Sequence, residues 1–232
     1  MKKYKYIKLK EYFVNNNVYI LFTVLCLGFI SKLKTGNKYI NFISVVGTYT
    51  FTAFLQYIIH VLSHRYNFQD LYNSFSNITG LKNFKRIYKT IQRTFIYLCE
   101  IHRKIHHKSN INKKKLNILT EFYINFFSSG GSLLLINLFI NLKVSLFNFV
   151  FRLDNTALLL FALCYSTSHL INYHVLDSIE HKQHHSNTKF NYGPEFFDIL
   201  FDSKFDDNVV NENHITINLL LFTIIIYLFK LY

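Results

Sequence analysis

Four stretches of this chain carry no charged side chain, and each is about as long as a bilayer is thick. They are residues 12–31, 39–59, 122–142 and 155–173, of 20, 21, 21 and 19 residues. An α-helix rises about 1.5 Å per residue, so about 20 apolar residues cross the ~30 Å hydrocarbon layer. Inside that layer the backbone must satisfy its own hydrogen bonds, and a helix does so within one segment. The pattern predicts an all-α fold, a polytopic membrane helical bundle of about four spans. The polar link at 32–38 joins the first two spans, and a break at Arg152 and Asp154 precedes the last. The spans then form two hairpins, and each hairpin returns the chain to the same side.

Composition narrows the class further. A length of 232 residues fits a single membrane domain, residues 1–232. With 7 Gly and 1 Pro in a chain that is 50% apolar, loop-rich and disordered classes are excluded. The abundant Asn and Lys read as coding bias, with some of them carrying no function. The formal net charge is +13. It collects at the N-terminus and between Lys82 and Lys115, outside the apolar runs. That separation favours an anionic membrane face over nucleic acid as the basic surface's partner. Lys2 to Lys10 lead into the first run without a small-residue cleavage site, so the run reads as an uncleaved anchor. Phe84, Ile87, Tyr88, Ile91, Phe95 and Leu98 recur at helical spacing, as in a helix lying on the membrane surface. Residues 215–229 are apolar but too short to cross, and read as a half-inserted or membrane-lying helix. Residues 60–115 and 174–214 make a helical cap on one side. Cys26, Cys99 and Cys164 form no CxxC and no disulfide framework.

The chain has 11 histidines, and ten fall in clusters at or just beyond the ends of the apolar runs or in the basic segment. His60 and His64 follow the second run, and His102, His106 and His107 lie in the basic segment. His169 and His174 end the fourth run, with His181, His184 and His185 just beyond. His214 reads as a surface residue. The pairs 60/64, 102/106 and 181/185 have the i, i+4 spacing that puts both rings on one helix face. A single imidazole on an apolar face is ordinarily an interior or boundary side chain. Three within five positions, as at 181–185, are hard to explain as packing. The two-hairpin topology brings every group to one face, with more imidazoles than one ion can take, which points to two metals. The chain has no Glu-x-x-His and no His-Glu-x-x-His, which argues against a soluble di-iron bundle and a zinc protease. Iron, zinc, copper and nickel all suit such a site.

His60 and His64, then His181, His184 and His185, followed by Asn191-Tyr192-Gly193 and by Phe197-Asp198-Ile199-Leu200-Phe201, resemble the fatty acid hydroxylase and sterol desaturase superfamily. The resemblance covers about residues 57–203. It departs from the family pattern in the second motif, where three residues separate His102 from the His106-His107 pair. Phe197 also replaces the usual Trp, and His169 and His174 are separated by four residues where several members have three. The resemblance implies two iron ions, with zinc possible in isolated protein, held by His60, His64, His102, His106, His107, His169, His174, His181, His184 and His185. No catalytic residue is implied beyond the metal centre. Asp198, Glu180 and Asn191 are candidates for orienting the imidazoles, with a surface charge or helix cap as the ordinary alternative for the two acids. It further implies O2, an external electron donor such as cytochrome b5 with its reductase, and hydroxylation or desaturation of an acyl-chain, sphingolipid or sterol substrate. The implied location is the endoplasmic reticulum membrane, with the histidines facing the cytosol. Three rivals remain: a histidine-rich metal-binding or transport protein, a membrane haem protein with paired axial histidines, and a family member that no longer holds metal.

Overall fold

A computed structural model describes residues 2–65, 70, 73, 89, 93, 107, 117–146 and 149–231. His102, His106 and most of the expected surface helix lie outside these. The described chain is mostly helical. Helix α1 spans Lys2–Asn15, α2 Asn17–Lys32 and α3 Lys38–Arg65. Helix α4, Ile118–Phe126, passes through a π-helical turn at Phe127–Gly131 into α5, Ser132–Ile140. Strands β1, Lys143–Leu146, and β2, Phe149–Arg152, pair antiparallel, with Lys143 opposite Arg152. Helix α6, Asn155–Leu170, ends in a second π turn, Ile171–Val175. Helices α7, Ile179–Ser186, α8, Glu195–Leu200, and α9, Ile215–Leu231, complete the chain.

By length and apolarity α3 and the continuous segment Ile118–Ile140 can each cross a membrane. Segments Lys5–Asn15 and Asn17–Lys32 qualify as a third span only when taken together, and they meet at a 70° bend. Helix α6 is short at 16 residues but lies at the axis of the bundle. Helices α2, α3, α4, α5 and α9 all pack on it, and its Ala157, Leu158, Leu160 and Ala162 are fully buried. The 15-residue apolar stretch that looked too short to cross lies in α9, packed along α2 and α6 with Leu219 buried.

The side-chain distribution suits a lipid solvent. Large apolar residues face outward on α2 (Leu21, Val24, Leu25), α5 (Leu138, Phe139, Ile140) and α9 (Leu221, Ile224, Leu228). Apolar exposure on that scale is foreign to a monomer in water. The interior instead holds small hydroxyl residues such as Thr48, Thr52 and Ser166. Thr52 and Ser166 donate to carbonyls four residues back, so their burial leaves no orphan donor. Small residues also let backbones approach where hydrophobicity gives no drive for association. A Cβ at Gly130 would sit 3.3 Å from the Leu158 carbonyl oxygen and from Thr52 Cγ2. Gly130 thus marks the close approach of the first π turn to α3 and α6.

One local feature departs from the all-α reading. Residues 143–152 form the small hairpin, whose β-branched and aromatic Val144, Val150 and Phe151 favour strand. Phe151 packs with Leu153 and Leu158, closing the end of the bundle away from the histidines. At that end Asp154 caps α6, accepting from the Ala157 amide at 2.9 Å, and pairs with Lys34 from the α2–α3 link. Asn137, 1% exposed, joins α5 to α6 through the Leu153 carbonyl and Asn155.

Nor is the basic N-terminus a simple flanking tail. Lys5 pairs with Asp202 at 3.0 Å and Lys8 with Asp207 at 2.7 Å. The helix breaks at Asn16, which is 0% exposed; its side chain donates to the Val210 carbonyl and accepts from the Glu212 amide. Asn213 returns the contact to the Tyr19 amide and the Asn15 carbonyl. The Asn cluster is therefore a clamp between α1, α2 and segment 202–213, rather than coding bias alone.

Within this clamp Tyr12 donates to Glu212 at 2.8 Å. Burial raises the Glu212 carboxyl from 4.5 to about 7, with nearby Glu195 adding to the effect. The folded chain thus keeps a proton that the unfolded chain loses above its ordinary carboxylate range. Stability falls as pH rises from that range through about 7. Glu212→Gln should flatten this slope. Thermal unfolding in detergent at about pH 5 and about pH 8 checks it: the wild type should lose more melting temperature between the two than the variant.

Candidate metal centre

Helix α3 runs past its apolar stretch and carries His60 and His64 on one face of its last turns. Helix α7 presents His181, His184 and His185. Between α7 and α8 the segment Phe190–Gly193 turns sharply, with left-handed φ of 54° at Asn191 and 60° at Gly193. Asn is among the few residues with a Cβ that tolerate this region, and glycine adopts it at no steric cost. This is the backbone reason for Asn-Tyr-Gly at this point.

The turn aims two carbonyls at two imidazoles. His60 Nδ1 donates to the Tyr192 carbonyl at 2.5 Å, and His184 Nδ1 donates to the Phe190 carbonyl at 2.6 Å. A carbonyl oxygen has no proton to give, so both Nδ1 atoms carry the hydrogen. In the neutral ring Nε2 then keeps its lone pair. The two Nε2 atoms face each other at 3.1 Å. Donors bound to one ion at about 2.0–2.2 Å are spaced roughly 3 Å apart. The pair therefore fits two ligands of a shared cation. His64 and His107 join them, and one ligand atom from each of the four lies within 4.8 Å of the others. This set can hold a metal ion.

The imidazole series continues beyond the four. His107 lies 4.2 Å, centroid to centroid, from His185; His185 lies 4.4 Å from His181, and His181 4.8 Å from His169. Tyr173 packs against His181 at 4.8 Å and against His174 at 4.7 Å. His174 sits in the second π turn.

The three orienting candidates have distinct jobs. Asp198, 3% exposed, reaches no imidazole directly in the contacts described; it accepts from the amides of Tyr192 and Gly193 at 3.0 and 2.6 Å and from Ser203 Oγ at 2.6 Å. Ser203 also meets Tyr57 of α3 at 2.9 Å. Asp198 thus holds the turn that holds the imidazoles. Burial lifts its carboxyl to about 6 against the opposing effect of these three bonds. Asn191 ties α7 to the following loop, donating to Gln183 and accepting from the Phe205 amide. Glu180 accepts from Ser178 Oγ at 2.7 Å, and Ser178 caps α7 by accepting from the His181 amide. Its role is therefore at the helix start. Phe197 packs with Tyr57 and Tyr192.

The sequence reading passed over Glu121 here. Glu121 is 0% exposed, and its Oε1 lies 3.3 Å from His169 Nε2. Its signal was a lone acid directly before the third charge-free run. Arg65 donates to the Tyr192 hydroxyl at 3.2 Å. His214 does not stand apart on the surface: it contacts Asn172 at 2.9 Å and lines a cavity. That cavity, about 330 Å³, borders His60, His169, His181 and His184 and runs between aromatic walls including Phe161 and Tyr165. Its lining also holds polar groups, Glu212 and the buried Lys204–Glu195 pair at 2.8 Å.

Comparison with known proteins gives no match: no protein-family profile, no curated protein and no solved structure.

Asp198→Ala would leave two amides and a hydroxyl without their acceptor and release the Tyr192 carbonyl from its position. Loss of such a supporting contact weakens metal binding by about 10–100-fold. Ser178→Ala, which removes the cap of α7 and its bond to Glu180, should cost about 1 kcal/mol of stability and leave metal affinity nearly unchanged. Metal titration of the two purified variants, alongside their melting temperatures, separates the roles.

Proposed function

We propose that this chain is a membrane-bound, histidine-ligated dimetal oxidoreductase acting on a lipid, of the fatty acid hydroxylase and sterol desaturase kind. The observation that carries this reading is the His60–His184 pair, its lone pairs converging at 3.1 Å and its outer nitrogens pinned by backbone carbonyls. The wider imidazole series supports two metal positions. The cavity beside it, at the end of an apolar bundle, supports a lipid substrate.

In this reading the four apolar runs form four spans in two hairpins, and the segments with histidines form a cap on the cytosolic side of the endoplasmic reticulum membrane. A bound iron pair would supply the activation of O2. Hydroxylation consumes one C–H bond, one O2, two electrons and two protons, and yields one hydroxyl and one water. Desaturation removes two hydrogens from the lipid, takes the same inputs, and yields two waters. The electrons come from a separate donor of the cytochrome b5 type. The chain's own residues fix ligand direction through Phe190, Tyr192 and Asp198. Phe161 and Tyr165 bound the space in which an acyl, sphingolipid or sterol chain is placed. Water exclusion follows from burial: His60, His107 and His184 are 7%, 5% and 2% exposed.

Expression in cells followed by lipid mass spectrometry tests the proposal. A product heavier by one oxygen indicates hydroxylation; one lighter by two hydrogens indicates desaturation. His184→Ala should abolish the product and lower bound metal. If metal binds but no lipid changes with a donor supplied, the oxygenase reading fails and a metal-binding or transport protein takes its place.

A further inference from the structure

An amphipathic helix on a water-facing surface turns its charges outward and its apolar side to the protein. Helix α1 does the opposite. Lys5, Lys8 and Tyr12 follow one another at helical spacing and turn inward, onto Asp202, Asp207 and Glu212. The other side carries Tyr6, Ile7, Phe13 and Val14, all exposed. Their spacing of one and two helical turns puts them on a single face. Lys10 lies between them and is exposed as well.

Three observations bear on what covers this face. Helix α1 leaves α2 through a 70° bend, so beside a span it runs closer to the membrane plane than to its normal. Its apolar face continues into the outward side of α2, through Val18, Leu21 and Val24. That side belongs to the surface that suits a lipid solvent. Third, α1 has 14 residues, five of them lysines, and is both too short and too charged to cross the hydrocarbon by itself.

We propose that α1 is an interfacial helix whose outward face, Tyr6, Ile7, Phe13 and Val14, is seated among phospholipids where the acyl chains meet the headgroups. This rests on the membrane reading of the bundle. Helices of this kind lie in the interface plane with the apolar side sunk about 5–10 Å below the headgroups, and tyrosine is at home at that depth. The stem of Lys10 lies along the apolar side while its ammonium reaches back to the phosphates. The lysines of α1 are thereby divided between two partners. Lys5 and Lys8 hold the acidic segment 202–213, and lipid meets mainly aromatic and aliphatic side chains. On the inner face Tyr12 bonds to Glu212, which lines the cavity, so the helix seated in lipid also supports the cavity wall.

The chain has no tryptophan, so a single introduced one reports alone. Tyr6→Trp and Val14→Trp mark the two ends of the face at its most exposed positions, 70% and 62%, and Ile224→Trp marks the outward side of α9. Each full-length variant is reconstituted into phosphatidylcholine vesicles with lipid brominated either near the headgroup or near the chain end, and with iodide on both sides. Both α1 variants should emit to the blue of tryptophan in water. They should lose more intensity to headgroup-side bromines than to chain-end bromines, and little to iodide. Ile224→Trp should lose intensity to brominated lipid. Quenching of either α1 variant by iodide alone puts the face in water. Stronger quenching by chain-end bromines puts α1 across the membrane, and quenching by neither agent means that protein, such as a second copy of the chain, covers the face. Each of these overturns the inference while Ile224→Trp still reports lipid. If Ile224→Trp also escapes brominated lipid, the membrane reading falls, and this inference with it.

Discussion

Two backbone carbonyls decide what the histidines of this protein can do. An imidazole in water exchanges its proton between two nitrogens. At His60 and His184 the carbonyls of Tyr192 and Phe190 settle the question, because each can only accept. The remaining nitrogens then face inward with their lone pairs. Much of the surrounding structure keeps those two carbonyls in place. The left-handed residues 191 and 193 shape the turn, and Asp198 gathers its amides. Ser203 and Tyr57 connect it to α3, the helix that carries His60. Candidate ligand and its support are thereby anchored to the same element.

The bundle below answers a different constraint. A lipid solvent gives no hydrophobic reward for packing helices together, so they associate through close fit and internal hydrogen bonds. Helix α6 meets that need with small and hydroxylated residues at the axis, and Gly130 lets the first π turn approach it. Both ends of the axis are fixed by polar contacts. Asp154 and Asn137 close one end, and the Asn16 clamp with segment 202–213 braces the other. The histidines gather at the braced end, where α3, α6 and α7 meet.

Sequence pattern made part of this legible. His60, His64, His181, His184 and His185 stood out because their spacing matches a helix face and they follow apolar runs. Asn191-Tyr192-Gly193 stood out as a motif, but its function lies in carbonyls, which every residue has. Asp198 and Glu180 looked alike as acids near histidines. Only packing separates a carboxylate that shapes the turn from one at a helix start. Glu121 escaped because reading by charge-free windows sets the boundary just after it, whereas the helix begins at Ile118. The hairpin at 143–152 escaped because a helix-sized window sees only an interrupted apolar run there. His102 and His106, in the irregular second group, lie outside the described residues.

The second π turn bears on how such a site can change over evolutionary time. His174 follows His169 by five positions, and the Leu176 amide bonds to the Ile171 carbonyl, five residues back, where an α-helix would reach four. A π turn takes in one more residue than an α turn and lets the helix beyond it resume. An inserted residue can be absorbed there without displacing α7 and its histidines. The imidazoles beyond the turn can then keep their places in space while their linear spacing changes, and a search keyed to fixed intervals would read such an insertion as loss of the motif.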